Sequence, residues 1–369
     1  MRRTYDNMLN INLHSHVTRL VMENYTSDSS DSDSALRTLD LSYLLLDNEV
    51  LDKQFLNTKC PEQVDTLLLS QNLLTIVPTS ISRFTSLTSL DISSCGLTKL
   101  PDFWTDCPLT CLIAKHNNLA NDGLTKDFEN LSSLRELNLS GNRLTEFPDQ
   151  ILDLIGLRYL YLGGNHISEI TKDIWKLQRL RVLSMGNNRL TEVPSTLGQL
   201  KTLQALVLCD NMLESLPSSI ANLTNLKTLS LHKNRLRTLP TEIITLKCLT
   251  ELSLRDNPLV VRFVSDMTHN PPSLLELAAR VVKTTNIRYD SESIPHNLVQ
   301  YLNSAHSCVN PKCKGVFFNN RVEHIKFVDF CGKYRLPLLQ YLCSSKCIEP
   351  RDSDEELVSG AMIRKVLLG

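Results

Sequence analysis

The sequence has almost no excess of charge of one sign, because 39 lysine and arginine residues are balanced by 40 acidic residues. This balance argues against a dedicated nucleic-acid binder and against a polybasic membrane anchor. The sequence also lacks a run of about 18 consecutive apolar residues, so no transmembrane helix is expected. Residues 1–24 lack the apolar core of a secretory signal. We therefore expect no membrane contact and a location in the cytoplasm, the nucleus or both.

The cysteines lack the spacing of a disulfide framework. There are 11 of them, an odd number. Six are dispersed through leucine-rich sequence: Cys60, Cys95, Cys107, Cys111, Cys209 and Cys248. This usage favours a reducing compartment, which agrees with the cytoplasm or the nucleus.

What the sequence does contain is one internal repeat. The pattern L-x-x-L-x-L-x-x-N-x-L recurs with its asparagine every 23 residues from Asn142 to Asn257, and Asn117, Cys95 and Asn72 occupy the same place upstream. The three leucines of each copy fit a short strand whose leucines point into a core. The asparagine amide can then bond backbone groups that would otherwise be buried unpaired. Most copies continue with a proline and a short apolar segment, which predicts a short helix or 3₁₀ turn on the convex side.

On these residues the chain resembles the leucine-rich repeat family, of the intracellular kind, over roughly residues 36–265. The resemblance implies an α/β leucine-rich-repeat solenoid, a horseshoe with a parallel sheet on its concave side. We expect five parts: a disordered N-terminal tail (1–35), the repeats (36–265), a helical cap (266–305), a Cys-rich module (306–350) and a C-terminal tail (351–369). The acidic serine run at 27–34 is either a solvated segment or a kinase-acceptor segment.

The variable residues between the strand leucines are expected to line the concave sheet. They include no nucleophile, base and orienting acid in a catalytic pattern, so we do not expect an enzyme. In the central repeats these concave-face residues are apolar and aromatic, which suits the binding of a protein. The predicted partner-binding residues are Ile113, Tyr159, Tyr161, Val182, Val207, His232 and Arg255. Alternatively, the adjacent tyrosines only stack along the sheet, which is worth about 0.2–1 kcal/mol per pair.

Two helical segments follow the repeats, after Pro271 and Pro272. Residues 273–282 are apolar at i, i+3, i+4 and i+7 with Ser273 at their start, which predicts an N-capped amphipathic helix. Residues 294–302 predict a second short helix with a proline near its first turn. A helical cap on the last repeat would explain both.

The order of these two segments also resembles the SOCS-box type of degradation module. In that family the first element binds elongin BC and the second selects a cullin, so the resemblance implies both partners. The adaptor-binding residues it implies are Leu274, Ala278, Val282, Pro295 and Leu298. Ala278 stands where the family usually has cysteine, and Asn297 stands where a second proline is expected, so the choice of cullin stays open. The cap and the docking function are compatible with each other.

The remaining five cysteines lie close together as Cys308-x4-Cys313, Cys331 and Cys343-x3-Cys347. Paired cysteines on turns can converge four thiolates on a tetrahedral zinc ion, and in a reducing compartment a metal is favoured over disulfides. We predict a structural zinc bound by Cys308, Cys313, Cys343 and Cys347, with Cys331 as a packing residue or alternate ligand. Free thiols are the alternative. His306 and His324 are discounted as ligands, and the basic residues of this module are not expected to bind nucleic acid.

The chain as a whole resembles one family of intracellular, non-catalytic leucine-rich repeat proteins, in its array, in PPSLLELAARVV and in the tail from CVNPKC to KVLLG. We predict a substrate-recognition subunit of an elongin/cullin-RING ubiquitin ligase whose concave face binds the substrate protein. The alternative is an intracellular signalling scaffold with a purely structural C-terminal cap.

Overall fold

A computed structural model describes residues 38–100, 108–124, 128–259, 272–290, 292–330, 334–348 and 365–367. The acidic serine run, Cys107 and Cys331 lie outside these ranges. The chain divides into two compact units, Met1–Asn211 and Met212–Gly369. Across the described ranges, none of the helices has the length and apolar character needed to cross a membrane.

The first unit is built on a parallel sheet of three-residue strands, one from each repeat. In the seven strands from Thr66–Leu68 to Ala205–Val207 the central leucine is buried and the two flanking residues are half-buried. This alternation follows from the two-residue period of a strand, which places the flanking side chains on the opposite face. The strands pair in unbroken parallel register. They are β1 (Thr38–Asp40), β2 (Thr66–Leu68), β3 (Ser89–Asp91), β4 (Cys111–Ile113), β5 (Glu136–Asn138), β6 (Tyr159–Tyr161), β7 (Val182–Ser184) and β8 (Ala205–Val207).

Short 3₁₀ helices return the chain from one strand to the next, as the sequence predicts. Proline at the N-cap fixes the extended backbone from which each helix begins. It holds this place at Pro78, Pro148, Pro194, Pro217 and Pro240. The 3₁₀ helices are Pro61–Gln63, Thr79–Arg83, Asn121–Gly123, Phe128–Asn130, Asp149–Asp153, Lys172–Lys176, Ser195–Gln199, Ser218–Asn222, Thr241–Thr245 and Ser345–Cys347.

One connection is an α-helix that the repeat pattern does not predict, α1 (Asn48–Asn57). The side chain of Asp47 caps it by accepting a hydrogen bond from the Val50 amide at 2.8 Å. Leu51 and Phe55, four residues apart, are its buried residues, and the Phe55 ring meets that of Phe84 edge-on at 5.1 Å. The cap and the i, i+4 pair are visible in the sequence, but the helix replaces a segment that we expected to follow the short-helix pattern.

The repeat asparagines bond the backbone as predicted. Asn165 donates through Nδ2 to the carbonyls of Leu139 and Leu162, both at 3.0 Å, and accepts from the Leu144 amide at 3.1 Å. The same pattern recurs at Asn142 and Asn188. Each side chain therefore satisfies carbonyls of two successive repeats that burial has removed from water.

The second unit begins with two further repeat strands, β9 (Thr228–Ser230) and β11 (Glu251–Ser253), which pair in parallel. The last described strand, β16 (Lys365–Leu367), lies parallel to β11 in the segment predicted as a tail. Between them come α2 (Leu274–Thr284) and α3 (His296–Asn303). The remaining strands are β10 (Leu239–Pro240), β12 (His306–Ser307), β13 (Val316–Phe317), β14 (Val322–Phe330) and β15 (Tyr334–Leu342).

The two helices and the Cys-rich module share one small core. Ala279 of α2, Leu302 of α3 and Phe318 after β13 are buried together. The Tyr301 ring stacks on that of Phe318 at 4.6 Å. The antiparallel hairpin of β14 and β15 is joined to the repeat that contains β9, because β15 also pairs with β10. The helical segment thus folds against the Cys-rich module that follows it.

Candidate functional site

The first candidate surface is the tyrosine face, defined as Ile113, Tyr159, Tyr161, Val182 and Val207. These residues lie on β4, β6, β7 and β8, at the half-buried positions that flank the central leucines. The strand register aligns Ile113 with Asn138, Tyr161, Ser184 and Val207 in one row. It aligns Glu136 with Tyr159 and Val182 in the neighbouring row. The structure therefore brings these five predicted residues together on one face of the sheet.

This face is apolar and aromatic, with a carboxylate beside the tyrosines. Burial raises the pKa of Tyr161, and the nearby Glu136 and Tyr159 raise it further. Burial and then Glu136 likewise raise the pKa of the Cys111 thiol. Both groups are therefore neutral at pH 7, and the face suits a protein surface that combines apolar area with hydrogen bonding to tyrosine.

The other two predicted partner-binding residues, His232 and Arg255, belong to the second unit. His232 follows β9 and is half-buried, with Nδ1 at 3.2 Å from the Ser253 hydroxyl. Arg255 follows β11, and its side chain is exposed. Its carbonyl accepts from the Lys233 amide at 2.8 Å.

The second candidate surface is the outer face of α2, defined as Leu274, Leu277, Ala278 and Val281. These positions share one side of the helix because they are spaced by three and four residues. Leu274 is 85% exposed, Leu277 44% and Val281 57%, and Ala278 is exposed as well. The Ser273 hydroxyl caps α2 as predicted by accepting from the Glu276 amide at 3.2 Å. The helix is therefore amphipathic with its apolar side directed at solvent.

The inner side of α2 carries an ion pair instead of leucines. Glu276 is 1% exposed, and its carboxylate accepts from Arg280 Nη2 at 2.6 Å. It also accepts from the amides of Phe318 at 3.2 Å and Asn320 at 3.0 Å. Arg280 donates in turn to the carbonyls of Cys343, at 2.7 Å, and Asn320. This Glu276–Arg280 clamp fastens α2 to the loops of the Cys-rich module.

The clamp keeps Glu276 ionised. Burial alone would raise the pKa of this carboxyl, but the hydrogen bonds from Arg280, Asn320 and Phe318 outweigh it and hold the pKa below its ordinary value. A carboxylate with three donors is stabilised in its charged form even when it is buried. Glu276 and Arg280 were not predicted as functional residues, although a Glu–Arg pair four residues apart inside an otherwise apolar helix is visible in the sequence.

The other residues of the SOCS-box-like match are divided between the surface and the core. Val282 of α2 is half-buried and packs on the core formed by Ala279, Leu302 and Phe318. Pro295 is exposed at the N-cap of α3, and Leu298 is half-buried one turn later. Leu274 and Ala278 are thus the matched residues that face solvent on α2.

The third candidate site is the cysteine cluster, defined as Cys308, Cys313, Cys343 and Cys347. The four sulfur atoms all lie within 4.8 Å of one another. Cys343 Sγ is 3.5 Å from Cys313 Sγ and 3.5 Å from Cys347 Sγ, and the four are free thiols. The loops around β12 and β13 supply the first two, and the turn after β15 supplies the others. The structure thus brings together the four residues that the spacing singled out.

Backbone groups are directed at the sulfur atoms. The Gly315 amide donates to Cys313 Sγ at 3.2 Å, and the Cys343 amide to Cys308 Sγ at 3.5 Å. Burial, followed by the neighbouring thiols, raises the pKa of Cys343. Burial also opposes ionisation of Cys347, but hydrogen bonds led by that of Ser344 hold its pKa below the ordinary value. Within the described ranges, neither His306 nor His324 belongs to the cluster.

Comparison with known proteins agrees with the repeat architecture. Family models described as leucine rich repeat match residues 86–107, 116–167, 155–213 and 201–259. A solved leucine-rich repeat protein of Leptospira interrogans is 32% identical, with a TM-score of 0.56 over 62% of this chain and 63% of that one.

Two curated relatives are similar over most of their length. Leucine-rich repeat-containing protein 58 of Xenopus laevis is 58% identical over 350 residues, which is 90% of this chain and 97% of the relative. The protein of the same name from Xenopus tropicalis is 51% identical over 84% of this chain and 88% of the relative. The similarity therefore extends beyond the repeats into the C-terminal segments.

Proposed function

Because this chain belongs to the family of leucine-rich repeat-containing protein 58, we propose that it is a non-catalytic protein-interaction module that serves a ubiquitin ligase. In this proposal the tyrosine face binds a substrate protein, and the outer face of α2 docks on elongin BC. Residues of α3 then contribute to the choice of a cullin. Ubiquitin transfer would be carried out by the assembled ligase, and this chain would select the substrate.

The observation that carries the proposal is the outward direction of the apolar side of α2. Burying a leucine or valine side chain is worth about 1.5–3 kcal/mol relative to leaving it exposed. The chain forgoes that gain at Leu274, Leu277 and Val281, while on the inner side it buries the charged Glu276 and half-buries its partner Arg280. A contiguous apolar patch that stays exposed in the folded chain marks a protein-binding surface.

The geometry of this patch fits the docking of a helix in a groove. In that mode the anchors recur at i, i+3 or i+4, and i+7, and enter an apolar slot of the partner. Leu274, Leu277 or Ala278, and Val281 have this spacing. The match of Leu274 and Ala278 to the elongin-binding element supports elongin BC as that partner.

The tyrosine face supports the binding of a protein substrate in the same molecule. Tyrosine presents a large apolar area at a low entropic cost and keeps a hydroxyl for hydrogen bonding, and it is enriched among the anchors of protein interfaces. Tyr159 lies beside Val182 on the next strand, and Tyr161 lies in one row with Val207, with Ser184 between them. Their half-buried, mainly apolar surroundings favour contact with a protein surface.

The proposal is tested by co-purification of the full chain with elongin BC. We expect the wild type to retain elongin BC and Leu274→Asp to lose it, because a charge in an apolar slot is costly to desolvate. Ile155→Asp is the matched control, since Ile155 is 69% exposed and lies outside α2. It should retain elongin BC.

The signalling-scaffold alternative predicts a different outcome of the same experiment. If α2 and α3 serve only as a structural cap, the wild type should not associate with elongin BC. Circular dichroism of Leu274→Asp establishes that the variant is folded, so that loss of binding is not mistaken for loss of structure. Absence of elongin BC from the wild-type preparation would refute the adaptor part of the proposal.

A further inference from the structure

We propose that Cys308, Cys313, Cys343 and Cys347 bind one structural zinc ion, and that this ion holds α2 in the position that directs its apolar side outward. The first part stands independently of the ubiquitin-ligase proposal. The placement of α2 by the ion is also independent of it, and only the use of that placement to present an adaptor-binding face rests on the ubiquitin-ligase proposal.

The arrangement of the four sulfur atoms fits a tetrahedral metal. Zinc–thiolate bonds of about 2.3 Å give sulfur–sulfur edges of about 3.8 Å in a regular tetrahedron. The two sulfur pairs formed by Cys343 are at 3.5 Å, and the whole set lies within 4.8 Å. Two loops that are about 30 residues apart in the sequence thus bring the four thiols together.

The backbone around the cluster is shaped for thiolate ligands. Amides of Gly315 and Cys343 donate to two of the sulfur atoms, as outer-shell donors do in metal sites. At Gly315 a Cβ atom would lie 2.6 Å from Cys343 Sγ and 3.0 Å from Cys313 Sγ. No larger residue fits there, so the loop approaches the cluster as closely as a glycine permits.

The chemistry of the set favours zinc in a closed, structural site. Four soft thiolates in a tetrahedron select zinc or iron, and a catalytic zinc would need an open position. The apolar side chains buried with the cysteines are few, namely Val322 and Leu342 with Ile348 beside them. A small core of this kind leaves the loops dependent on a metal for their fold.

The same loops form the anchor of α2. Arg280 donates to the carbonyl of Cys343, which is a ligand, and Glu276 accepts from the amides of Phe318 and Asn320, on the loop that leads away from Cys313. Because these bonds end on backbone atoms, they hold only while the loops keep their conformation. Loss of the metal should therefore loosen the inner side of α2 and with it the placement of Leu274.

The zinc site is tested on the full chain by native mass spectrometry and elemental analysis. We expect one zinc ion per chain, and X-ray absorption at the zinc edge should show four sulfur ligands at about 2.3 Å. In competition with a chelator, the zinc affinity of Cys313→Ser should be at least about tenfold lower than that of the wild type. Cys248→Ser replaces a half-buried cysteine outside the cluster and should bind zinc as the wild type does. Bound iron, paired disulfides, or a folded chain without metal would each overturn the assignment. If Cys313→Ser does not fold, the X-ray absorption spectrum of the wild type still shows whether four sulfur atoms bind the zinc.

The role of the ion in placing α2 is tested by hydrogen–deuterium exchange of the full chain without any adaptor. Removal of zinc should increase exchange in residues 274–284 and leave β4 to β8 unchanged, and reloading should reverse the increase. Unchanged exchange in α2 would overturn this part even if elongin BC binds. If exchange responds to zinc but elongin BC does not bind, the inference stands and the ligase proposal fails.

Discussion

At the scale of the residue, the repeat depends on side chains that complete the backbone hydrogen bonding. Asn165 is 4% exposed and bonds two carbonyls and one amide of neighbouring repeats. Cys95 stands in the same place of its copy and bonds the carbonyl of Leu69 at 3.1 Å through its thiol. Burial raises the pKa of that thiol, so it remains a neutral donor. A thiol supplies one weak donor where the amide supplies donors and an acceptor.

Replacement of Asn165 by alanine should destabilise the chain strongly. The change leaves the buried Leu144 amide without its acceptor, at about 1–3 kcal/mol. The carbonyls of Leu139 and Leu162 each lose one donor but keep another, from Asn142 and Asn188, so each lost bond adds only about 0.5–1.5 kcal/mol. We expect the free energy of unfolding to fall by about 2–4 kcal/mol in urea denaturation. Asn118→Ala is the control, because the exposed side chain of Asn118 donates only a long hydrogen bond, 3.5 Å to the Gly96 carbonyl. Similar losses of unfolding free energy in the two variants would show that the buried hydrogen bonds of the repeat asparagines do not stabilise the chain.

The repeat residues show what could be predicted from the sequence and why. A period of 23 residues fixes which leucine is buried and which asparagine bonds the backbone, because each copy meets the same neighbours as the last. The repeat pattern thus predicted the strands from Thr66 to Ser253 and the placement of Tyr161 and Val207 in one row of the sheet, with Ser184 between them. Gly315 escaped prediction, because its role depends on sulfur atoms that are brought near by residues far away in the sequence.

At the scale of the element, α2 shows where the apolar pattern gives insufficient information. The pattern at 274–282 correctly predicted a helix with one apolar side and a serine cap. It could not predict that this side faces solvent, since an amphipathic pattern defines a face but not the surface that covers it. The polar inner contacts come from Glu276 and Arg280, whose partners lie about 40 to 63 residues further along the chain.

The clamp makes the attachment of α2 sensitive to acid. The folded state holds the pKa of Glu276 below its ordinary value, so the clamp contributes stability at any pH above the unfolded value of about 4.3. That contribution is lost as the pH falls through the lower, folded pKa. We therefore expect the wild type to lose more stability between pH 6 and pH 3 than Glu276→Gln, whose side chain does not titrate.

Urea denaturation of both proteins at several pH values measures this difference. Other carboxyl groups titrate in the two proteins alike, so the difference between the curves isolates Glu276. At pH 6 the variant should be less stable, because an amide replaces a carboxylate opposite Arg280. If the unfolding free energies of the two proteins change in parallel throughout this pH range, protonation of Glu276 does not weaken the clamp.

At the scale of the whole molecule, substrate binding and adaptor binding are assigned to residues of different units. The tyrosine face belongs to Met1–Asn211 and the outer face of α2 to Met212–Gly369. Additivity is expected for sites that share no side chains. Each proposed activity should therefore be removable by a substitution that leaves the other in place.

Proximity labelling in cells, with and without proteasome inhibition, tests this separation. Tyr161→Ala should reduce labelling of the substrate protein while elongin BC is retained, because truncation of an interface anchor costs about 2 kcal/mol or more. Leu274→Asp should show the opposite result: the substrate stays bound and becomes more abundant, since it is no longer handed to the ligase. Tyr43→Ala removes a tyrosine that is 74% exposed outside the tyrosine face and should behave as the wild type. If Tyr161→Ala labels the same proteins as the wild type, the substrate binds elsewhere. Tyr161 lies in the middle of the tyrosine face, so its truncation would reduce the contact area of any interface formed there.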